Sequence, residues 1–270
     1  AYGLNWFTGI PLAIAFLVGA SLSATDPISV VALLKELGAS RRLRTLMEGE
    51  SLLNDGVAVV AFTLLVGIPL GTVERFSLQE TILSFFIFVG VGVGVGCLVG
   101  FGISYLTQRF DLPLVEQSLT LVSAYGTYVI TEKLGGSGVI GVVVVGIILG
   151  NFGSRIGMNP RTRLIVSEFW EFLAFFVNSI VFLLIGDQIK FPDLRENFTA
   201  IAVTILGMVV TRAIAVYGLS ATSNLIAKSN IGIKEQTVLW WGGLRGSVSI
   251  ALVLSVPVLL PGREDITATV

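Results

Sequence analysis

Between Leu78 and Thr107 the chain carries a single charged side chain, Glu80. A helix needs about 20 predominantly apolar residues to cross a bilayer, whereas a barrel strand needs only about 9–11 of alternating polarity. Comparable runs recur at roughly 11–37, 43–68, 114–132, 138–151, 164–186, 198–227 and 235–260. Such runs are too long for barrel strands, so the predicted fold class is an all-α polytopic membrane protein, with 1–270 as one transmembrane domain. Composition agrees: 54% of residues are hydrophobic and 13% charged, where a globular domain has about 25% charged. The run at 138–151 is short for a crossing and is expected to tilt or to extend into its flanks. Val89 to Gly96 alternates valine with glycine like a strand, but a lone strand in lipid leaves its backbone groups unpaired, so helix is predicted. Its glycines lack the strand-turn-helix context of a nucleotide site. Gly96 and Gly100 suit close helix packing instead.

The net charge of −1 gives no bulk attraction to nucleic acid. One cysteine, Cys97, excludes an internal disulfide and a thiolate metal cluster. There is no histidine, so proton chemistry near neutral pH falls to a carboxylate. Lys and Arg are commoner in the loops near 35–45, 107–114, 152–163 and 228–236 than in the alternate loops. By the positive-inside rule the Lys35/Arg41/Arg42/Arg44 loop is cytoplasmic. No short basic signal peptide opens the chain, and the residues after Asp265 read as the start of another helix. A fragment lacking both ends of a larger transporter is expected.

Four places put ionisable groups where a membrane makes them expensive, which marks them as functional candidates. In Glu48-Gly-Glu-Ser-Leu-Leu-Asn-Asp-Gly, helical spacing sets Ser51 and Asp55 on one face and Glu50 and Asn54 on the adjoining one. Two carboxylates, an amide and a hydroxyl offer the oxygen ligands that hard cations such as sodium favour. Ala24-Thr25-Asp26-Pro27 interrupts the first run, because Pro27 removes a backbone donor and crowds the preceding turn. Freed carbonyls and the Thr25 hydroxyl then line a cavity, and Asp26 answers the positive end of the following half-helix or simply caps it. Gly242-Gly243-Leu244-Arg245-Gly246 interrupts the last run, with Arg245 either in that break or snorkelling to the cytoplasmic surface. Arg212 stands in mid-span and needs a carboxylate; Glu50 is the preferred partner, which leaves Asp55 free to exchange ions. Glu168 is expected to complement a helix start and Glu132 to sit at a solvated terminus.

Ala24-Thr-Asp-Pro, Glu48-Gly-Glu-Ser-Leu-Leu-Asn-Asp-Gly, Phe169-Trp-Glu and Gly242-Gly-Leu-Arg-Gly together resemble the sodium/proton exchanger family, in its bacterial NhaP-like branch. The resemblance covers nearly the whole chain. It implies an inverted-repeat antiporter fold with two broken, crossing helices that carry Asp26 and Arg245. It implies Asp55 as the position where cation and proton compete, and Asn54 as the mark of a branch with one such acid. Thr25, Asp26 and Ser51 are then expected around the ion, and Glu50 paired with Arg212. A homodimer of chains with about a dozen spans, in the plasma membrane and serving pH homeostasis, is also implied.

The resulting expectation is an electroneutral sodium/proton antiporter, binding sodium at Asp55 and needing no cofactor beyond its transported ions. Potassium/proton exchange is the rival within the class, since these oxygens alone do not fix ion size. A cation channel fits less well, because channels read ions with repeated carbonyls or charge rings. An intramembrane hydrolase fits poorly without histidine.

Overall fold

The structure, a computed structural model, describes residues 1–70, 78–109, 112–188, 197–257, 260 and 262–270. In chain order the helices are α1 (Tyr2–Thr8), α2 (Leu12–Ser21), α3 (Ile28–Glu36), α4 (Arg41–Val66), α5 (Leu78–Thr107), α6 (Pro113–Lys133) and α7 (Gly138–Ile148). A π-helical stretch, Leu149–Gly157, follows, then α8 (Pro160–Gln188), α9 (Phe198–Ile226), α10 (Ile233–Trp241), α11 (Ser247–Leu254) and α12 (Arg263–Thr269). No strand occurs among the described residues. Four of these helices, at 41–66, 79–107, 160–184 and 198–226, are long and apolar enough to cross a membrane. The chain divides into two compact units, Ala1–Glu74 with Gln188–Val270, and Arg75–Asp187.

In the first unit, two of the expected spans are broken where the sequence places proline or glycine. Pro27 follows the interruption between α2 and α3, and Gly242–Gly246 separates α10 from α11. The core joins α2, α4, α11 and α12 through Leu17, Val18, Ala58, Val253 and Ile266, all nearly or fully buried. The last of these lies on the helix that the sequence suggested was starting near the chain's end. Ser40 opens α4 by accepting the Leu43 N–H at 3.2 Å, the usual cap for an otherwise orphaned donor. The first helix, α1, was not among the expected spans; Gly9, at φ 73°, ends it in the left-handed conformation that suits glycine.

The second unit is organised by small residues. A Cβ on Gly92, Gly96 or Gly100 would press on Ser137 and Ile140, on Gly141 and Val144, or on Ile148. These glycines recur every four residues, so one face of α5 is bare and α7 lies against its backbone. Across α7, Gly141 rests on Thr127 and Thr131, two buried hydroxyls of α6. The short apolar run at 138–151 does extend into its flank, through the wider π-helical turn.

Of two expectations about acids, the one for Glu132 holds and the one for Glu168 changes. Glu132 is exposed at the end of α6, and its Oε1 also accepts the Gly138 N–H at 3.0 Å, so it serves the start of α7 as well. Glu168 does not stand at a helix start, because α8 already begins at Pro160, where Asn159 Oδ1 accepts the Thr162 N–H at 2.8 Å. Asn followed by Pro is a recognisable opening signal, since the cap takes an orphan donor and proline at the first position has none to lose.

The glycine seam gives a direct test. In Gly96→Ala the new methyl falls 2.6 Å from the Gly141 carbonyl oxygen, and backbone cannot swing aside. The substitution should lower stability by about 1–3 kcal/mol, read as thermal unfolding of the purified protein in detergent. Gly94→Ala faces open space and should not lower it. Equal behaviour of the two variants would mean that α5 and α7 do not meet along this face.

Candidate functional site

The two breaks meet. Asp26 N–H donates to the Leu244 carbonyl at 2.8 Å, and Arg245 Nη1 donates to the carbonyls of Ala24 at 2.8 Å and Ser23 at 3.3 Å. Arg245 Nε reaches Met208 Sδ at 3.1 Å, so the guanidinium lies within the break rather than snorkelling away. Broken helices expose carbonyls that have no intrahelical partner, and a guanidinium placed there supplies several donors at once. Ser249, 1% exposed, adds its hydroxyl to the Ala24 carbonyl at 3.4 Å.

The glycines of the second break serve close approach rather than unusual backbone angles, since none of the three has positive φ. A Cβ on Gly243 would overlap the Arg212 guanidinium, and one on Gly246 would overlap the Asp26 side chain. A Cβ on Gly242 would collide with Met47 of α4.

Middle turns of the 26-residue α4 bring the acids to this crossing. Asp55 Oδ1 accepts the Thr25 N–H at 3.2 Å, and the Ser51 hydroxyl donates to the Thr25 carbonyl. Asn54 Nδ2 donates to Glu50 Oε1 at 2.8 Å and reaches Thr25 Oγ1 at 3.4 Å. Glu50 takes a two-pronged pair from Arg212, Nη1 to Oε1 at 3.1 Å and Nη2 to Oε2 at 3.0 Å. The same guanidinium holds the Trp240 carbonyl at 3.0 Å and the Leu239 carbonyl at 2.8 Å, at the end of α10. Arg212 thus ties α4, α9 and α10 together. Asp26 Oδ1 accepts the Ile28 N–H at 3.0 Å, which caps the first turn of α3.

A cavity of about 230 Å³ opens at the crossing, and Thr25, Asp26, Ser51 and Asp55 line it. Asn54, Glu50, Arg212 and Arg245 are outside that lining, engaged with one another or with backbone carbonyls. Ser249 and Glu48 do line it, and neither stands out from the sequence alone. Ser249 sits three residues past Gly246, in the first turn of α11, and could have been found by asking which hydroxyls open the second half-helix. Among the described residues no three or more His, Cys, Asp or Glu gather to hold a metal. Around Asp55 the oxygens that the cavity wall offers are those of the Thr25, Ser51 and Ser249 side chains and of the broken helices' carbonyls. A second cavity, about 350 Å³ and within the 75–187 unit, has Thr120, Ser123, Arg163 and Trp170 in its wall but no carboxylate.

The family model described as sodium/hydrogen exchanger, transmembrane, matches residues 1–270. The chain belongs to the sodium/hydrogen exchanger family. Within the family it is 70% identical over 269 residues to the Na(+)/H(+) antiporter ApNhaP of Aphanothece halophytica, covering 100% of this chain and 51% of that protein. It is 64% identical over 270 residues to the low-affinity Na(+)/H(+) antiporter NhaS1 of Synechocystis, covering 98% and 51%. The chain therefore spans about half the length of these curated relatives. Its fold is that of the sodium proton antiporter MjNhaP1 from Methanocaldococcus jannaschii, with TM-score 0.76 at 23% identity over 99% of this chain and 69% of that one. A family of ion exchangers, rather than of enzymes, is the setting in which the crossing is to be understood.

Proposed function

We propose that the complete protein is an electroneutral sodium/proton antiporter that works by alternating access, with Asp55 binding either a sodium ion or a proton. The observation that carries this is the division of labour at the crossing. Glu50 is committed to Arg212, and Asp26 to the first turn of α3. Of the two remaining carboxylates in the cavity wall, Asp55 and Glu48, Asp55 is the one that meets the broken helix, through the Thr25 N–H. The ligand set is oxygen only, as a hard monovalent cation requires. The relatives' names pair sodium with the proton. Asn54 cannot ionise, so one exchanging acid carries one charge each way. We further place the complete protein in the plasma membrane as a homodimer, on the family resemblance, with no cofactor beyond its transported ions.

The test is reconstitution of the full-length protein in liposomes, with proton flux followed under sodium, lithium and potassium gradients. Sodium should drive a flux that saturates. A membrane potential does about 2.3 kcal/mol of work per charge per 100 mV, but none on a neutral cycle. An imposed voltage should therefore leave the rate unchanged. A steady current on solid-supported membranes would mean that a second acid, such as Asp26, also releases a proton, and the single-carboxylate cycle would fail.

A further inference from the structure

Glu48 is the acid at the crossing that this mechanism does not use. It shares one face of α4 with Ser51, Leu52 and Asp55, at spacings of three, four and seven residues, and all four line the same cavity. At 1.5 Å per residue Glu48 stands about 10 Å from Asp55 along the helix axis. That places it toward the end of the unit where α3 finishes and α4 begins. This end is basic: Lys35 closes α3, while Arg41, Arg42 and Arg44 open α4. Arg42 also donates to the Ser229 carbonyl, which brings the loop bearing Lys228 to the same end. Glu36 and Glu235 are the other acids nearby, and Glu235 is engaged with the Gly232 N–H. Arg44 is one turn from Glu48, yet the ion pair within 4.0 Å among the described residues is that of Glu50 with Arg212. Glu48 is exposed, and its carboxylate makes no hydrogen bond among the described residues.

An exposed carboxylate in a cavity wall, one turn from an arginine with which it forms no ion pair, alters the field that an approaching ion meets. We propose that Glu48 is a positioning residue at the mouth of the Asp55 cavity, raising the local concentration of monovalent cation against the surrounding basic charge without ligating the bound ion. This rests on the antiport assignment above for its consequence in transport, but not for its electrostatics. A unit charge about 10 Å away is worth roughly a two- to tenfold change in local cation concentration across effective dielectric constants from about 80 down to about 24. The effect is lost at high salt, because the screening length falls from about 10 Å at 0.1 M to about 3 Å at 1 M.

Two measurements on the full-length protein test it. In liposomes at low ionic strength, Glu48→Gln should raise the apparent KM for sodium roughly two- to tenfold with kcat unchanged, Glu48→Asp should restore it, and high ionic strength should erase the difference. A KM shift that survives high salt would make Glu48 a ligand, and an equal loss in kcat would make it part of the transport step; either overturns the proposal. Independently of transport, Leu52→Cys in a background with Cys97 and any cysteine outside residues 1–270 replaced by serine is labelled with cationic trimethylammonioethyl or anionic sulfonatoethyl methanethiosulfonate. Adding Glu48→Gln should lower the cationic-to-anionic rate ratio at low salt. An unchanged ratio overturns the proposal whether or not exchange is seen. A lowered ratio without any sodium-driven proton flux would uphold the electrostatics and refute the antiport assignment instead.

Discussion

Asp55→Asn should reduce sodium-driven proton flux in liposomes to the level of protein-free vesicles, while the purified variant unfolds at a temperature close to the parent's. The amide has nearly the carboxylate's shape, and its oxygen can still accept the Thr25 N–H that Asp55 Oδ1 accepts at 3.2 Å. What it loses is the capacity to hold a proton in one half of the cycle and a cation in the other. Competition for a single site has a second signature in the unmutated protein. Exchange should fall at acid pH as protons occupy Asp55, and raising sodium should move that fall to lower pH. Substantial flux through the variant, or an acid limb indifferent to sodium, would place the exchanging group elsewhere. Asp26 and Glu48 are the other carboxylates in the same cavity wall.

Much of this geometry was legible because the bilayer forbids alternatives. A guanidinium in mid-membrane must find a partner, so Arg212 and Glu50 could be matched across 162 positions of sequence. Proline and clustered glycine in apolar runs marked both breaks for the same reason. What the apolar pattern could not reveal is which helices touch, since a lipid-facing leucine and a buried one read alike. The seam of Gly92, Gly96 and Gly100 needed the position of α7 to become visible, and Gly243 and Gly246 needed Arg212 and Asp26 above them. The Asn159-Pro160 opening of α8 was readable and was passed over, which left Glu168 assigned to a helix start that lies eight residues earlier. Glu48 was hidden differently. On its own helix it is indistinguishable from a solvated surface acid until the cavity at the break is seen to reach it.

Breaking the Glu50–Arg212 pair should cost more from the arginine side than from the glutamate side. Removing one partner of a buried pair typically costs about 3–5 kcal/mol, because the other charge is left uncompensated. The two partners are not equivalent here. Arg212 is 11% exposed against 32% for Glu50, and it also holds the Leu239 and Trp240 carbonyls at the end of α10. Arg212→Ala therefore strands a carboxylate and two carbonyls at once and should reach that range. Glu50→Gln strands only the guanidinium charge, keeps an oxygen for Arg212 and Asn54, and should cost less. The double variant, with no lone charge remaining, should recover part of the loss, so the single effects should exceed the combined one. Arg212→Lys should not rescue Arg212→Ala fully, because a point ammonium cannot fork to both carboxylate oxygens while reaching two carbonyls. Thermal or denaturant unfolding of the four proteins closes the cycle. Strict additivity would mean that Glu50 and Arg212 do not touch, and it would free Glu50 to act as a second titrating acid at the crossing.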